Sequence, residues 1–351
     1  MADSPSTKSQ AWALFDRIVE DAAPGGDHSN PWERTGPKEL VYRPDFPTLK
    51  KLLGVPLYLK AATTTGVPAL ALDVWVSYEL RRAGFDQDAV WPRPVHPRIM
   101  PRAVASLLAA LPAKERAQLE QRLGRTSPMK GVVSSSANIL GKNYLKQVDV
   151  VMSDWDTGPE VLISTKRMDS SFGKNAANRV EESYGDAKNL RLRHPLAALG
   201  FMYGLRSTIL TEEPDKAEWI IDLLHKLGNE DDAYHAVGLL MIQYSDEVAL
   251  EEGDDVADEG DDPLTAAGVV PQDELETPAP TEVDDDSVGD DIERLPHVTL
   301  IFDERAEDIH PSRFLATMVQ RVVDATPVNR HREARRRMKD APLLPSRGNS
   351  V

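Results

Sequence analysis

The chain contains no cysteine, which excludes disulfides, thiolate nucleophiles and cysteine-ligated zinc or iron–sulfur centres. No run of eighteen apolar residues occurs, so a membrane-spanning helix is not expected. The stretch Met1 to Gln10 is polar and lacks the apolar core of a secretory signal. Together these absences predict a protein that works in the cytoplasm without a membrane partner. Aromatic residues are sparse, at 6%. One long stretch also lacks positive charge: Asp246 to Glu293 carries twenty Asp or Glu and no Lys or Arg.

The rest is the composition of a globular chain. Its 351 residues are 41% hydrophobic and 28% charged, enough for one large domain or two modest ones. The formal net charge of −16 argues against a polyanionic partner, but only while it is treated as uniform. Outside Asp246–Glu293 there are 37 acids against 41 bases, a balance of about +4. That remainder is compatible with phosphate binding.

Periodicity divides the chain further. Trp12–Ala22 reads as a short helix, and Ala69–Ala83 as a second, with apolar Leu72, Val76, Leu80 and Ala83 and a stop at Gly84. The proline-rich Val90–Pro101 must be extended or turned. Arg102–Leu123 reads as one helix. Gln147–Met152 and Glu160–Met168 read as the two strands of a hairpin around a turn-rich Ser153–Pro159. Lys174–Leu190 and Ala217–Leu227 read as helices, Pro195–Leu210 as a strand or short helix, and Ala236–Tyr244 as an apolar element of either type. His297–Phe302 predicts a strand and Arg313–Ala325 a helix. The expected organisation is an N-terminal extension over 1–68, a core over 69–245, and a disordered acidic linker over 246–293. A strand and helix over 294–326 complete the core, and 327–351 form a basic flexible tail.

The hairpin gathers the chemistry. With paired positions summing to 313, Asp149 faces Ser164 and Gln147 faces Lys166. Side chains alternate along a strand and cross-strand partners point the same way. Asp149, Ser164, Lys166 and Glu160 are therefore expected on one face. An aspartate beside a strand lysine is explained by charge pairing alone. It is also what metal-assisted phosphodiester cleavage needs, with carboxylates for a divalent ion and a lysine beside the attacking water.

Asp149 within Lys146-Gln147-Val148-Asp149-Val150-Val151, followed by Ile163-Ser164-Thr165-Lys166, resembles the core of the PD-(D/E)XK nuclease superfamily over roughly residues 70–210. The resemblance implies a restriction-endonuclease-like α/β fold: a mixed central sheet flanked by helices, with an N-terminal helical and extended region. It implies Mg²⁺ as cofactor, Asp149 as a metal ligand and Lys166 near the attacking water. Ser164 departs from the pattern, standing where the family's second acid stands. Some restriction enzymes of the superfamily read Ser-x-Lys and recruit a glutamate from the next helix, about fourteen residues past the lysine. Here Glu181 is fifteen and Glu182 sixteen residues past Lys166. Glu182 and Glu181 rank nearly level as completing ligands, with Glu160 third. An acid on the first core helix, Asp73 or Glu79, is a further candidate. Asn178, Glu181, Glu182 and Lys188 share one broad helical face, either solvated or bordering the metal site.

Asp154 and Asp156 read as turn residues, and His96, His194 and His235 lack metal-ligand spacing. Arg81, Arg82, Arg93, Arg98, Arg102, Arg191, Arg193 and the run Arg330–Lys339 are candidates for gripping phosphates. No P-loop, nucleophile elbow, zinc helix or helix–turn–helix spacing is present. The expectation is a Mg²⁺-dependent DNA endonuclease of a restriction or antiphage system. RNA is the alternative substrate, a homodimer the expected assembly for cutting two strands, and companion modification or defence proteins are possible partners. A second reading is a catalytically inactive restriction-like fold that binds nucleic acid or a partner. A third is an adaptor acting through its acidic tract.

Overall fold

The computed structural model describes residues 6–36, 39–123, 132–133, 136–248, 250 and 285–343. Its α-helices are α1 (Thr7–Ala22), α2 (Phe46–Tyr58), α3 (Val67–Arg82), α4 (Arg102–Ala110), α5 (Ala113–Leu123), α6 (Phe172–Arg191), α7 (Ile209–Glu212), α8 (Pro214–Asn229), α9 (Asp285–Glu293), α10 (Pro311–Ala325) and α11 (Arg332–Lys339). Its strands are β1 (Trp32–Arg34), β2 (Leu40–Tyr42), β3 (Val90–Trp91), β4 (Asn138–Leu140), β5 (Leu145–Gln147), β6 (Val150–Asp154), β7 (Gly158–Met168), β8 (Ala198–Arg206), β9 (Ala236–Gln243) and β10 (Thr299–Ile301). No helix among the described residues is long and apolar enough to cross a membrane.

The centre is a six-stranded mixed sheet in the order β10-β9-β8-β7-β6-β3. β7, β8 and β9 run parallel, and β6, β3 and β10 pair antiparallel with their neighbours. The parallel strands connect through α6 and α8, as parallel pairing requires a crossover. Helices cover both faces, so β8 and β9 are buried throughout most of their length and read as nearly continuous apolar runs. This is why Ala236–Tyr244 carried no period in the sequence; it is strand β9.

On one face, Val150, Met152, Val161, Ile163, Met202 and Leu240 pack under α1, α2, α3 and α10. On the other, Val151, Leu162, Leu199, Phe201 and Leu239 pack under α6 and α8. Gly200 and Gly238 let α10 lie close: a Cβ on Gly200 would stand 2.8 Å from Phe314 Cζ, and one on Gly238 3.1 Å from Phe314 Cγ. The described part of 1–68 therefore belongs to the helical layer of the core, with Leu14, Phe15, Ile18, Leu49, Leu52 and Leu53 all buried in it.

Three further expectations are corrected. The predicted helix over Arg102–Leu123 is two helices, because Pro112 cannot continue α4. The strand expected over Gln147–Met152 divides: β5 pairs with β4 in a separate small sheet, and β6 begins at Val150. The basic segment expected to be flexible carries α11 within its described part. Gly84, at φ +101°, lies directly beneath it, and a Cβ there would meet the Ala334 nitrogen at 2.7 Å. Of the acidic tract, residues 249 and 251–284 lie outside the described residues. Its end forms α9, which buries Val288 and accepts a hydrogen bond from Tyr58 Oη to Asp291 Oδ1 at 2.6 Å.

Candidate active site

The β6–β7 register has paired positions summing to 313: Val150 faces Ile163, Val151 faces Leu162 and Met152 faces Val161. It then shifts by one residue between Met152 and Ser153. That irregularity moves Glu160. Its Oε1 lies 3.0 Å from His331 Nε2, and His331 stacks edge-on against Phe85, which belongs to the same apolar layer as Val161 and Ile163. Glu160 thus faces α3 and α11, away from the side of Leu162. The expectation that it shares a face with Lys166 is corrected by the bulge.

Asp149 falls where the chain leaves the small sheet for the central one. Val148 anchors this crossing by donating its N–H to Ala137 O at 3.0 Å and by burying its side chain. Freed from the ladder, the Asp149 carboxylate reaches across to β7, and its Oδ2 accepts the Thr165 N–H at 2.7 Å. From the α3 side, Asp73 Oδ1 accepts the Thr165 hydroxyl. One residue, lying between Ser164 and Lys166, therefore holds two carboxylates from separate elements. Their proximity is unfavourable when both are charged: burial first, then the Asp149 charge, pushes the Asp73 carboxyl well above its ordinary range. The Thr165 hydrogen bond and the Lys166 charge oppose that shift without cancelling it. A half-buried carboxylate pair is relieved by a proton or a cation.

The two faces contribute differently. Ser164 is buried on the α6 face, where it is in register with Phe201 of β8. The α6 helix buries Ser183, Asp186, Ala187, Asn189 and Leu190. Glu182 precedes Asp186 by four residues and Asn189 by seven, so it borders this buried stripe. Glu181 is aligned instead with exposed Gly185 and Lys188. Both glutamates are exposed, and they differ only in that Glu182 borders the buried stripe. Asn178 lies outside the described side chains.

Sequence reasoning did not find the polar group beside Ser164. Lys146 Nζ lies 2.8 Å from Asp186 Oδ2, and Tyr144 Oη donates to Asp186 Oδ1 at 3.0 Å. Asn189 Oδ1 accepts the Asn143 N–H at 2.8 Å, and its Nδ2 donates to Tyr144 O at 3.1 Å. Gly141 is required in that turn, since a Cβ would stand 2.1 Å from Asn189 Nδ2. Lys146 stood inside the quoted motif, but its partner forty residues on carried no local signal.

Other candidates have structural roles. Glu79 is fully buried, 2.7 Å from Arg82 Nη1, and accepts from Tyr42 Oη at 3.0 Å and the Asp45 N–H at 2.6 Å. Arg81 donates to Pro92 O at 3.0 Å, and burial lowers its pKa to about 9. Arg93 pairs with Asp88, Arg98 with Asp16, and Arg102 with Asp154. Arg335 donates to Val323 O and Thr326 O, and Arg337 to His28 O and Arg82 O. These guanidinium groups tie the fold together, with the Arg102 side chain still 41% exposed. His194 contacts Leu140 O, and His235 Nδ1 accepts the Leu199 N–H.

Among the described residues, no group of three His, Asp or Glu side chains is placed to hold a metal ion. Two carboxylates do fit Mg²⁺, which keeps several waters and is commonly held by one or two carboxylates together with substrate phosphates. Neither a family model, nor a curated protein, nor a solved structure matches the chain.

Proposed function

We propose that the protein is a Mg²⁺-dependent phosphodiester hydrolase with a restriction-endonuclease-like core, acting on DNA in a restriction or other antiphage role. The observation that carries this reading is Thr165 bonding Asp73 and Asp149 together, directly between Ser164 and Lys166 on the second strand of the hairpin. The Asp73–Asp149 pair would hold the cation and Lys166 would orient the attacking water. Ser164 would sit beside the pair as a neutral oxygen. Bound there, Mg²⁺ supplies charge neutralisation at the scissile phosphate. Glu182, next to the buried stripe of α6, ranks above Glu181 as an additional acid approaching from that helix.

The departure at Ser164 favours the second reading, a fold of this kind that binds nucleic acid without cutting it. Plasmid cleavage with Mg²⁺ and with chelator separates the two. The expected result is Mg²⁺-dependent nicking that falls by about 10²-fold or more in Asp149→Ala and in Lys166→Ala, with both variants folded. DNA binding without nicking, under conditions that include Mn²⁺ as well as Mg²⁺, would leave the binding reading in place. Unfolding of Lys166→Ala would instead mark Lys166 as a structural ion-pair partner.

A further inference from the structure

The carboxylate of Asp149 stands at a point that no ladder fixes. Val148 belongs to the apolar layer under α6, whereas Val150, two residues on, belongs to the layer under α3. A regular strand would send both to one face, so the chain turns over at Asp149. After that turn it is held by the pairing of Val150 with Ile163. Before it comes the β4–β5 hairpin, two strands of three residues each, too short to be stable on its own. Its position must be set by what grips it.

The grip comes from α6. This helix is fixed to the central sheet by Ala187 and Leu190, buried in the layer that holds Val151 and Leu162. Asp186, beside them, spends both carboxylate oxygens on the hairpin: Oδ2 lies 2.8 Å from Lys146 Nζ, and Oδ1 accepts from Tyr144 Oη at 3.0 Å. One turn on, Asn189 Oδ1 accepts the Asn143 N–H, and the Asn189 carbonyl accepts the Lys142 N–H at 2.9 Å. Lys146 is 8% exposed, so parting it from Asp186 would strand a buried charge. Only Gln147 and Val148 separate Lys146 from Asp149.

We propose that Asp186 is a positioning residue of the candidate active site. By clamping Lys146 and Tyr144 to α6, it sets where Asp149 leaves the small sheet, and so where the Asp149 carboxylate meets the Thr165 N–H. The inference rests on the cation-dependent reading of the Asp73–Asp149 pair for its functional meaning, while the clamp itself is judged without any cation. Asp186 touches neither cation nor substrate. It acts through β5, as outer residues around metal sites orient the groups nearer the ion.

The test is amide hydrogen exchange in the full chain, followed by NMR in chelator, with a calorimetric Mg²⁺ titration beside it. Asp149 Oδ2 accepts the Thr165 N–H at 2.7 Å, so protection of that amide reports where the carboxylate stands. Asp186→Ala is expected to speed Thr165 exchange to the rate seen in Asp149→Ala, while amides of β8 and β9 keep their wild-type rates. Mg²⁺ affinity should fall about tenfold or more in the same variant. Lys146→Met removes the same link from the β5 side and should act alike. Asp186→Asn should retain part of the protection, because its amide oxygen still accepts the Tyr144 hydroxyl. Combining Asp186→Ala with Asp149→Ala should speed Thr165 no further than Asp149→Ala alone. Wild-type protection of Thr165 in Asp186→Ala and Lys146→Met overturns the proposal. So does an equal rise through β8 and β9, which would make Asp186 a support of the whole fold. Where Asp186→Ala does not fold, Tyr144→Phe removes a single bond to the same carboxylate, and its Thr165 rate decides in the same way. A wild-type chain that binds no Mg²⁺, with Thr165 still responding selectively, defeats the cation reading and leaves the clamp standing.

Discussion

At Asp73, burial first and then the Asp149 charge push the carboxyl well above its ordinary range. Alternation along β7 sends Ser164 and Lys166 to one face and Thr165 to the other, which explains why Thr165 carried no functional signal in the sequence. Ser164 and Lys166 follow the alternation of β7, whereas Asp149 lies one residue outside the β6–β7 ladder and the expected pairing with Ser164 is not formed. The Asp73–Thr165–Asp149 bridge was not legible, because it joins a helix to the end of a strand ninety-two positions away. The sign of the Asp73 shift has a measurable consequence. Its folded pKa is raised, so its contribution to stability is complete below the unfolded value of about 3.9. That contribution is lost as pH rises through the folded value. In chelator, wild-type stability should therefore decline over that rise. Asp73→Asn keeps an acceptor for the Thr165 hydroxyl and removes the charge, so the decline should flatten and the neutral-pH midpoint should rise, by about 2–4 °C per kcal/mol relieved. The same variant should lose Mg²⁺ binding. Thermal scans across pH, with and without Mg²⁺, check both outcomes; a variant less stable than wild type at neutral pH in chelator would contradict the charge-repulsion account.

Among the elements, the long apolar and amphipathic segments were readable, and the departures occur where a single residue overrides the local pattern. Pro112 divides α4 from α5. The crossing at Val148–Asp149 divides β5 from β6, although Gln147 to Met152 reads as one alternating, β-branched run. The one-residue shift beside Ser153 turns Glu160 away from Lys166, and no turn rule placed that shift. The basic C-terminal segment carries a different ambiguity: arginine is equally suited to phosphates and to backbone carbonyls, and packing decides between them residue by residue. Arg335 makes the point. Its guanidinium donates to Arg330 O at 3.0 Å, Val323 O at 2.6 Å and Thr326 O at 2.7 Å, satisfying carbonyls at the C-terminal end of α10. Arg335→Ala should cost about 1–3 kcal/mol of stability and leave DNA affinity unchanged. Exposed Arg336 pairs only with Glu333 and Asp340, and its replacement by alanine should change the denaturation midpoint by no resolvable amount. Urea denaturation of the two variants, with filter binding of duplex DNA, checks the contrast. A loss of affinity in Arg335→Ala with unchanged stability would restore the phosphate-grip reading.

For the whole molecule, net charge conceals an uneven distribution. Many arginines near the proline-rich loop and the C-terminal helix are tied to carboxylates or carbonyls of the fold, and the balance of about +4 outside the acidic tract already counts the paired acids. Long-range repulsion of a polyanion then depends strongly on the tract itself. Residues 251–284 contain thirteen Asp or Glu and no Lys or Arg. Replacing them with a short Gly/Ser linker takes the formal charge from −16 to −3 and leaves α9, with Val288 buried against the helical layer, in place. At low ionic strength the Debye length is about 30 Å, and at physiological salt about 8 Å. A tract acting through its charge should therefore weaken DNA association mainly at low salt. The replacement should raise affinity for duplex DNA severalfold near 10 mM salt and much less near 150 mM, and Mg²⁺ affinity at the Asp73–Asp149 pair should stay the same because short-range contacts govern it. Affinity measured across a salt series decides the matter. A chain that loses DNA binding when the tract is replaced would make the tract the binding element, and would favour the adaptor reading over a phosphodiester hydrolase.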